Sequence, residues 1–160
     1  MSDVVLRRYR AEDLYALIEL FRGTVHAINA KDYTQAQLDA WAPVDIDAER
    51  WGPKLLQHYT IVAEMDGVLC GFADIDGTGY FDHLFVHKDY QGRGIAKELV
   101  KAVEAFATQS EVKTITVNVS ITARPFFLKQ GYELVKQQEV EYNGQRFTNY
   151  AMKKQVTVIK

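Results

Sequence analysis

YFDHLFVHKDYQGRGIAKELVKAVEAFA, residues 80–107, is the stretch on which the fold turns. Its first third, 81–86, is an apolar run bounded by Gly77 and Gly79 upstream and by Lys88 and Asp89 downstream, which is how a buried strand reads. Its last third places Ile95, Leu99, Val103 and Phe106 at i, i+4, i+8 and i+11, the apolar stripe of an amphipathic helix. Between them, Gln91-Gly92-Arg93-Gly94-Ile95-Ala96 forms a tight turn at a helix start. The first N–H groups of a helix lack intrahelical partners and carry the positive end of its dipole, so they attract anions. Glycine lets the backbone approach a phosphate and adopt positive φ, and Arg93 can add a charged fork. The stretch therefore reads as strand, phosphate-cradling turn, helix.

Two other phosphate loops are excluded. No G-x-x-x-x-G-K-[ST] occurs, and Gly92-x-Gly94 lacks the third glycine of a dinucleotide fingerprint. The stretch resembles instead the acetyl-CoA-binding core of the GNAT acyltransferase superfamily, whose pattern Q/R-x-x-G-x-G/A is filled by Gln91, Gly94 and Ala96. A second match, ARPFFLKQGY at 123–132, looks like the family's A-x-x-F-Y-x-x-x-G-F helix. The segment TVHAINAKDYTQAQLDAWAP, 24–43, is similar to a bacterial branch of these acetyltransferases. The resemblance implies an α/β (α+β) fold. Its sheet would be mixed, mostly antiparallel and six- to seven-stranded, flanked by about four helices.

Length and charge fit one domain over 1–160. The 160 residues are enough to bury a core, and 48% hydrophobic with 25% charged residues is ordinary for a globular chain. A formal net charge of −2 gives no electrostatic case for nucleic acid or an anionic membrane. No apolar run approaches the ~20 residues of a membrane-spanning helix, and the N-terminus lacks a signal peptide's apolar core. The single cysteine, Cys70, forbids an internal disulfide and fits a reducing, cytoplasmic setting. With no basic neighbour it reads as a buried inert thiol.

Along the chain, 4–9 reads as an opening strand, followed by a helix from about Ala11 whose stripe fades around Gly23. Thr34 is placed to cap a second helix carrying Leu38 and Trp41, and 45–57 reads as a mixed acidic and aromatic connection with room for a helical turn. Asp66-Gly67 and Asn143-Gly144 mark two hairpins, and 114–120 alternates as a half-buried strand. Thr122 is placed to cap a short helix ended by Gly131. The expected order is β-α-α-β-β-β-α-β-α-β-β.

Acetyl transfer to an amine has three requirements. For the cofactor, the resemblance implies that the pyrophosphate of acetyl-CoA sits on Gln91, Gly92, Arg93, Gly94, Ile95, Ala96 and Lys97. The pantetheine arm would pair with the backbone of Leu84, Phe85 and Val86, and an N–H near Leu84 or Phe85 would face the thioester oxygen. Asn118 and Ser120 could reach the cofactor from the neighbouring strand, and Phe127 with Phe126 could wall its channel. For the amine, an ammonium with pKa near 10.4 costs roughly 4–5 kcal/mol to deprotonate at neutral pH, so a base is needed. Simple alternation from Val86 puts Tyr80, Asp82 and Leu84 on one face and Phe81, His83 and Phe85 on the other. Asp82 is the favoured base because it shares a face with the family's base position, with His83 the alternative. For the leaving thiolate, the family's tyrosine acid is replaced by Phe127, leaving Tyr132, Tyr142 or water.

Substrate contacts are expected from His26, Asn29, Tyr33 and Trp41, in the irregular region after the first helix. His83 and His87 lack further ligands at metal spacing, so no metal is expected. The reading is an N-acetyltransferase using acetyl-CoA on a small-molecule or peptide amine, by direct attack in a ternary complex. A non-catalytic CoA-binding module is the rival, motivated by Phe127. A nucleic-acid-modifying acetyltransferase is disfavoured by charge. A homodimer pairing through the strand 147–152 is the expected route to oligomers, if any.

Overall fold

The computed structural model describes residues 3–156. The elements run β1 (Val5–Arg8), α1 (Leu14–Ile28), α2 (Gln35–Trp41), α3 (Ala48–Gln57), β2 (Tyr59–Met65), β3 (Val68–Ile75), β4 (Tyr80–Val86), α4 (Ile95–Gln109), β5 (Thr114–Ser120), α5 (Arg124–Lys129), β6 (Glu133–Tyr142) and β7 (Gln145–Gln155). The strands form one sheet in the order β1-β2-β3-β4-β5-β7-β6, antiparallel throughout except for the β4–β5 pair. Both hairpins form as their turn residues dictate. Asp66 and Gly67 have φ of 53° and 78°, and Asn143 and Gly144 have 49° and 79°, the paired positive values that match strand twist.

Helices cover both faces. The stripe of α4 packs Ile95, Leu99 and Val103 with Phe127 of α5 onto Ala73, Ile75 and Phe81. On the opposite face, Leu17, Phe21 and Val25 of α1, Leu38 of α2 and Leu55 of α3 pack onto Val62 and Phe72. Burying these side chains at roughly 25 cal/mol per Å² of apolar surface is what holds the two layers to the sheet.

Several expectations are corrected. The stripe of α1 does not end at Gly23. The helix continues to Ile28 because Thr24 and Val25 are buried, with Thr24 Oγ1 donating to the Val86 carbonyl at 2.9 Å. The helical turn expected within 45–57 is a full ten-residue helix, α3, capped by Asp47, whose carboxylate accepts from the Arg50 N–H at 3.2 Å. Thr122 does not cap α5. Its hydroxyl donates to Asp32 at 2.8 Å, and Ser120 Oγ accepts from the Ala123 N–H. Strand β7 lies between β5 and β6 and is paired on both edges over 149–152, which closes that part of 147–152 to a second copy. The Thr34 cap does form, as a reciprocal box with Gln37.

Two local features open the sheet. Strands β4 and β5 pair only at Tyr80↔Thr116 and Phe81↔Val117 and then part. Just before, Gly79 has φ 99°, and a Cβ there would stand 2.6 Å from the Thr114 carbonyl oxygen, so only glycine lets the strands meet so closely. In β4 itself, Asp74 pairs with His83 but Ile75 pairs with Phe81, leaving Asp82 as the extra residue of a β-bulge.

Candidate active site

The parting of β4 and β5 opens a cleft of about 1120 Å³, running from the first turn of α4 past Asp82 and His83 to the aromatic residues of α1, α2 and α3. The His87 N–H donates to Cys70 of β3 at 2.8 Å. Alternation along β4 therefore turns Phe85 and His83 towards β3, and Leu84 and Val86 towards the opening. The Val86 carbonyl is already occupied by Thr24 and by Gln91 Nε2, the latter at 2.7 Å. What β4 offers the cleft is the N–H and C=O of Leu84 and the N–H of Val86. Phe85, expected to share this role, directs its backbone the other way and its ring against Phe21 at 4.9 Å.

At the α4 end, Gly92 and Gly94 have φ of 74° and 79°, with nothing within 4 Å of where their Cβ atoms would be. The backbone is thus bare to the cleft at a 15-residue helix's N-terminus. Gln91, Gly92, Gly94, Ile95, Ala96 and Lys97 all line the cleft. Ile95 anchors the turn, 2% exposed in the core, and the Gln91 amide braces it. Arg93 does not join them. Its guanidinium lies over the Tyr90 ring, 4.8 Å from the centroid, and reaches Met65 Sδ. On the facing strand, Asn118 donates to the Tyr80 hydroxyl at 3.3 Å and accepts from Gln138 at 2.9 Å, fixing Tyr80 at the cleft wall.

The bulge decides the other end. Simple alternation separates Asp82 from His83, yet the extra residue brings them to one side, with His83 Nδ1 3.8 Å from Asp82 Oδ2. It also splits Phe81, which joins the α4 layer, from Phe85, which joins the α1 layer. Lys54 of α3 forms an ion pair with Asp82, Nζ to Oδ2 at 2.6 Å, by proximity of charge, since that oxygen makes no hydrogen bond of good geometry among the described residues. His83 donates from Nδ1 to Oδ1 of Asp74 at 2.8 Å, and His58 donates from Nδ1 to Oδ2 of the same carboxylate at 2.8 Å. An ionised carboxylate only accepts, so both rings must carry hydrogen on Nδ1. That leaves Nε2 of His83 without a partner among the described residues, on a ring that lines the cleft.

The electrostatics follow from burial. Asp74 is 0% exposed; desolvation alone would raise its carboxyl, but the charges and hydrogen bonds of His83 and His58 outweigh it and hold it at about 2. His83 is pulled down by burial and pushed up more strongly by Asp74 and Asp82, for a net rise. His58 is raised chiefly by its hydrogen bond to Asp74. Tyr80 is raised by burial and then by Asp82, so its hydroxyl stays protonated. Ligand-type atoms of His58, Asp74 and Asp82 come within 4.8 Å of one another, the closeness of a cation cluster. Here Lys54 and the two imidazoles balance the carboxylates.

Of the expected substrate contacts, Asn29, Tyr33 and Trp41 line the cleft. The Tyr33 hydroxyl is committed, donating to the Thr148 carbonyl and accepting from the Ile121 N–H. Trp41 packs edge-on to Phe21, Tyr33, Phe85 and Phe147 as part of the floor. His26 lies elsewhere. Its Nε2 meets the Ala42 carbonyl at 2.8 Å in a separate groove with Arg22 and Asp39. Phe127 lines the cleft but is 3% exposed, packed edge-on to Phe81, Phe126 and Tyr132. Tyr132 is removed as a proton donor: it bonds Glu104 at 2.9 Å outside the cleft, and burial with that carboxylate raises it far above its ordinary value. Cys70 is fully buried and its thiol is pushed up by burial, as expected of an inert sulfur.

Three site residues escaped sequence reasoning: Asp74, His58 and Lys54. One signal was available for Asp74, a carboxylate within the otherwise apolar run 68–75, where a buried acid needs partners. Among the described residues no helix is long and apolar enough to cross a membrane.

Comparison with known proteins places this architecture. Residues 29–154 match the acetyltransferase (GNAT) domain family. The chain is 37% identical over 154 residues to the uncharacterized N-acetyltransferase YafP of Escherichia coli K12, covering 96% of this chain and 97% of that one. It superposes with TM-score 0.93 on a GCN5-related N-acetyltransferase described as a class-II aminotransferase, from Rhodopseudomonas palustris, at 33% identity and 98% coverage of both chains. The PaiA N-acetyltransferase of Thermoplasma acidophilum, solved in complex with coenzyme A, shares the fold with TM-score 0.78 at 18% identity, over 96% of this chain and 99% of that one.

Proposed function

The chain belongs to the GNAT family of N-acetyltransferases, and we propose that it transfers the acetyl group of acetyl-CoA to the primary amine of a small molecule or peptide by direct attack in a ternary complex. One observation carries the reading: a single cleft joins a bare glycine turn at a helix N-terminus, an unpaired strand edge at Leu84, and a histidine whose Nε2 has no partner among the described residues. The coenzyme A in the PaiA structure supports the cofactor.

In this reading the pyrophosphate lies on the N–H groups of the α4 turn with Lys97 beside it. The pantetheine runs along β4 as an added strand, and an opening-facing N–H of β4, Leu84 foremost, receives the thioester oxygen as it becomes an oxyanion. Asp82 holds the acceptor ammonium, which exchanges for Lys54. His83 Nε2 then takes one proton, in preference to Asp82, because Asp82 is already committed to a cation and His83 is oriented by Asp74. The freed lone pair attacks the carbonyl carbon, and the carbon–sulfur bond breaks. The thiolate, with a pKa near 8.5, leaves without a dedicated acid and takes the second proton of the attacked nitrogen. Phe127 in the tyrosine position is consistent with that economy.

The test is release of coenzyme A thiol from acetyl-CoA against a panel of amines, polyamines, amino sugars and peptides. Turnover on at least one primary amine, with intersecting two-substrate kinetics, is expected. Tight acetyl-CoA binding with no turnover on any amine would favour a cofactor-binding module instead.

A further inference from the structure

Amine acetylation needs one imidazole, and the fold supplies two on one carboxylate. Asp74 gives Oδ1 to His83 and Oδ2 to His58. Only His83 lines the cleft. His58 sits where α3 ends and β2 begins; its side chain is 12% exposed, against 17% for His83, and its ring is not part of the cleft wall.

Resting on the assignment of His83 as the base, we infer that His58 is a positioning residue for it. By sharing Asp74, His58 carries the one proton the buried carboxylate calls for, keeps His83 neutral, and releases that proton to solvent when His83 takes the acceptor's.

The charge balance leads there. The charged and titratable groups facing the two rings are Lys54 from α3, Asp74 from β3, Asp76 from the β3–β4 turn, and Tyr80 and Asp82 from β4. From α1 only the Phe21 ring packs on His83, at 6.4 Å. Lys54 and Asp82 neutralise each other at 2.6 Å, and Asp76 is tied to Thr78 and the Tyr80 N–H in its own turn. What remains is one buried negative charge between two imidazoles. One proton makes that group neutral, and a second would bury a net positive charge, which is costly. The first proton belongs on His58. His83 stands against Trp51, Phe72 and Phe85 at 5.0 to 6.3 Å and 3.8 Å from Asp82, and its basicity is raised on balance, as that of His58 is. A base must be neutral to accept, so the role of His83 in the cleft is what places the first proton on His58. For His58 the largest influence is the Asp74 hydrogen bond, which favours it.

During transfer the acceptor ammonium gives one proton to His83 Nε2, the new C–N bond forms as the C–S bond breaks, and the second proton goes to the thiolate. His58 meanwhile loses a proton from Nε2 to water. The Asp74 group keeps the same charge before and after, and no proton crosses the carboxylate itself.

The experiment titrates the histidine rings of the full chain by NMR and measures kcat/KM against pH. In wild type, His58 is expected to hold its proton to higher pH than His83. In His58→Asn the amide Nδ2 replaces the Nδ1–H donor to Asp74 but cannot carry the charge. The His83 midpoint and the acid limb of kcat/KM should then both move up by about one pH unit, a loss of about tenfold at the acid end and little at the alkaline end. His58→Gln is the second variant should the first fold poorly. A wild-type His83 that outlasts His58, or unmoved midpoints in both variants, would overturn the inference. Full activity of His83→Gln would sink the base assignment and the relay with it, while the ring titration reads the shared proton on the resting protein, so the two failures are told apart.

Discussion

Replacing Asp74 by asparagine is a stringent perturbation, because a fully buried carboxylate has no solvent to fall back on. The carboxyl is held at about 2 against an ordinary 3.8. At about 1.4 kcal/mol per pH unit this is roughly 2 kcal/mol of folded-state preference for the charged form. The introduced amide could accept from one ring through its oxygen, but its NH₂ group would face the other ring's N–H, adding an unmet donor worth about 1 kcal/mol or more. The expected cost of Asp74→Asn is therefore about 3 kcal/mol, at the lower edge for a broken buried ion pair. In a chain of this size that lowers Tm by roughly 6–12 °C. The pH window follows from the signs. A carboxyl depressed in the fold contributes fully above its unfolded value and loses that contribution as pH falls through about 2. The raised imidazoles contribute fully below about 6.5 and lose their share as pH rises through their folded values. Circular-dichroism melts of both proteins at matched ionic strength should thus differ most between about pH 4.5 and 6.5, with the gap closing under strong acid and shrinking on the alkaline side. A gap below about 1 kcal/mol near pH 6, or one of equal size near pH 3 and pH 6, would refute the reasoning.

Other outcomes follow from the same geometry. Gly79→Ala puts a Cβ 2.6 Å from the Thr114 carbonyl oxygen at φ 99°; urea unfolding should show a loss of at least about 2 kcal/mol, and a near-neutral result would contradict the tight β4–β5 junction. Calorimetric titration with coenzyme A should show Lys97→Ala weakened about fivefold or more, with marked salt dependence, while Arg93→Ala stays within about twofold because its guanidinium lies over Tyr90.

Much of this arrangement was legible because local chemistry encodes it. Asp66-Gly67 and Asn143-Gly144 specify their turns, Thr34 with Gln37 specifies a helix start, and the Ile95-Leu99-Val103 stripe specifies both α4 and the face it buries. The cofactor end of the cleft shares this property, since a helix N-terminus with bare glycines is local. The chemical end does not. Helix α3 carries Gly52 and Pro53 in its interior, both unfavourable there, and it persists because Leu55 is buried, Trp51 packs on Phe21 at 4.9 Å and Lys54 reaches Asp82. The bulge at Asp82 has no signature in the residues themselves; it appears only in the register against β3, and it reversed the expected separation of Asp82 from His83. The pairing of Asp74 with His58 spans 16 residues, and the insertion of β7 beside β5 is a choice of sheet edge that no turn dictates.

The most direct test of the central claim is the pH profile of kcat/KM for an accepted amine in wild type and His83→Gln. An oriented imidazole base predicts an acid limb of unit slope in wild type. In the variant it predicts a loss of at least about a hundredfold near neutral pH that diminishes towards alkaline pH, where the amine arrives already neutral. A His83→Gln enzyme with the wild-type profile and rate would contradict it.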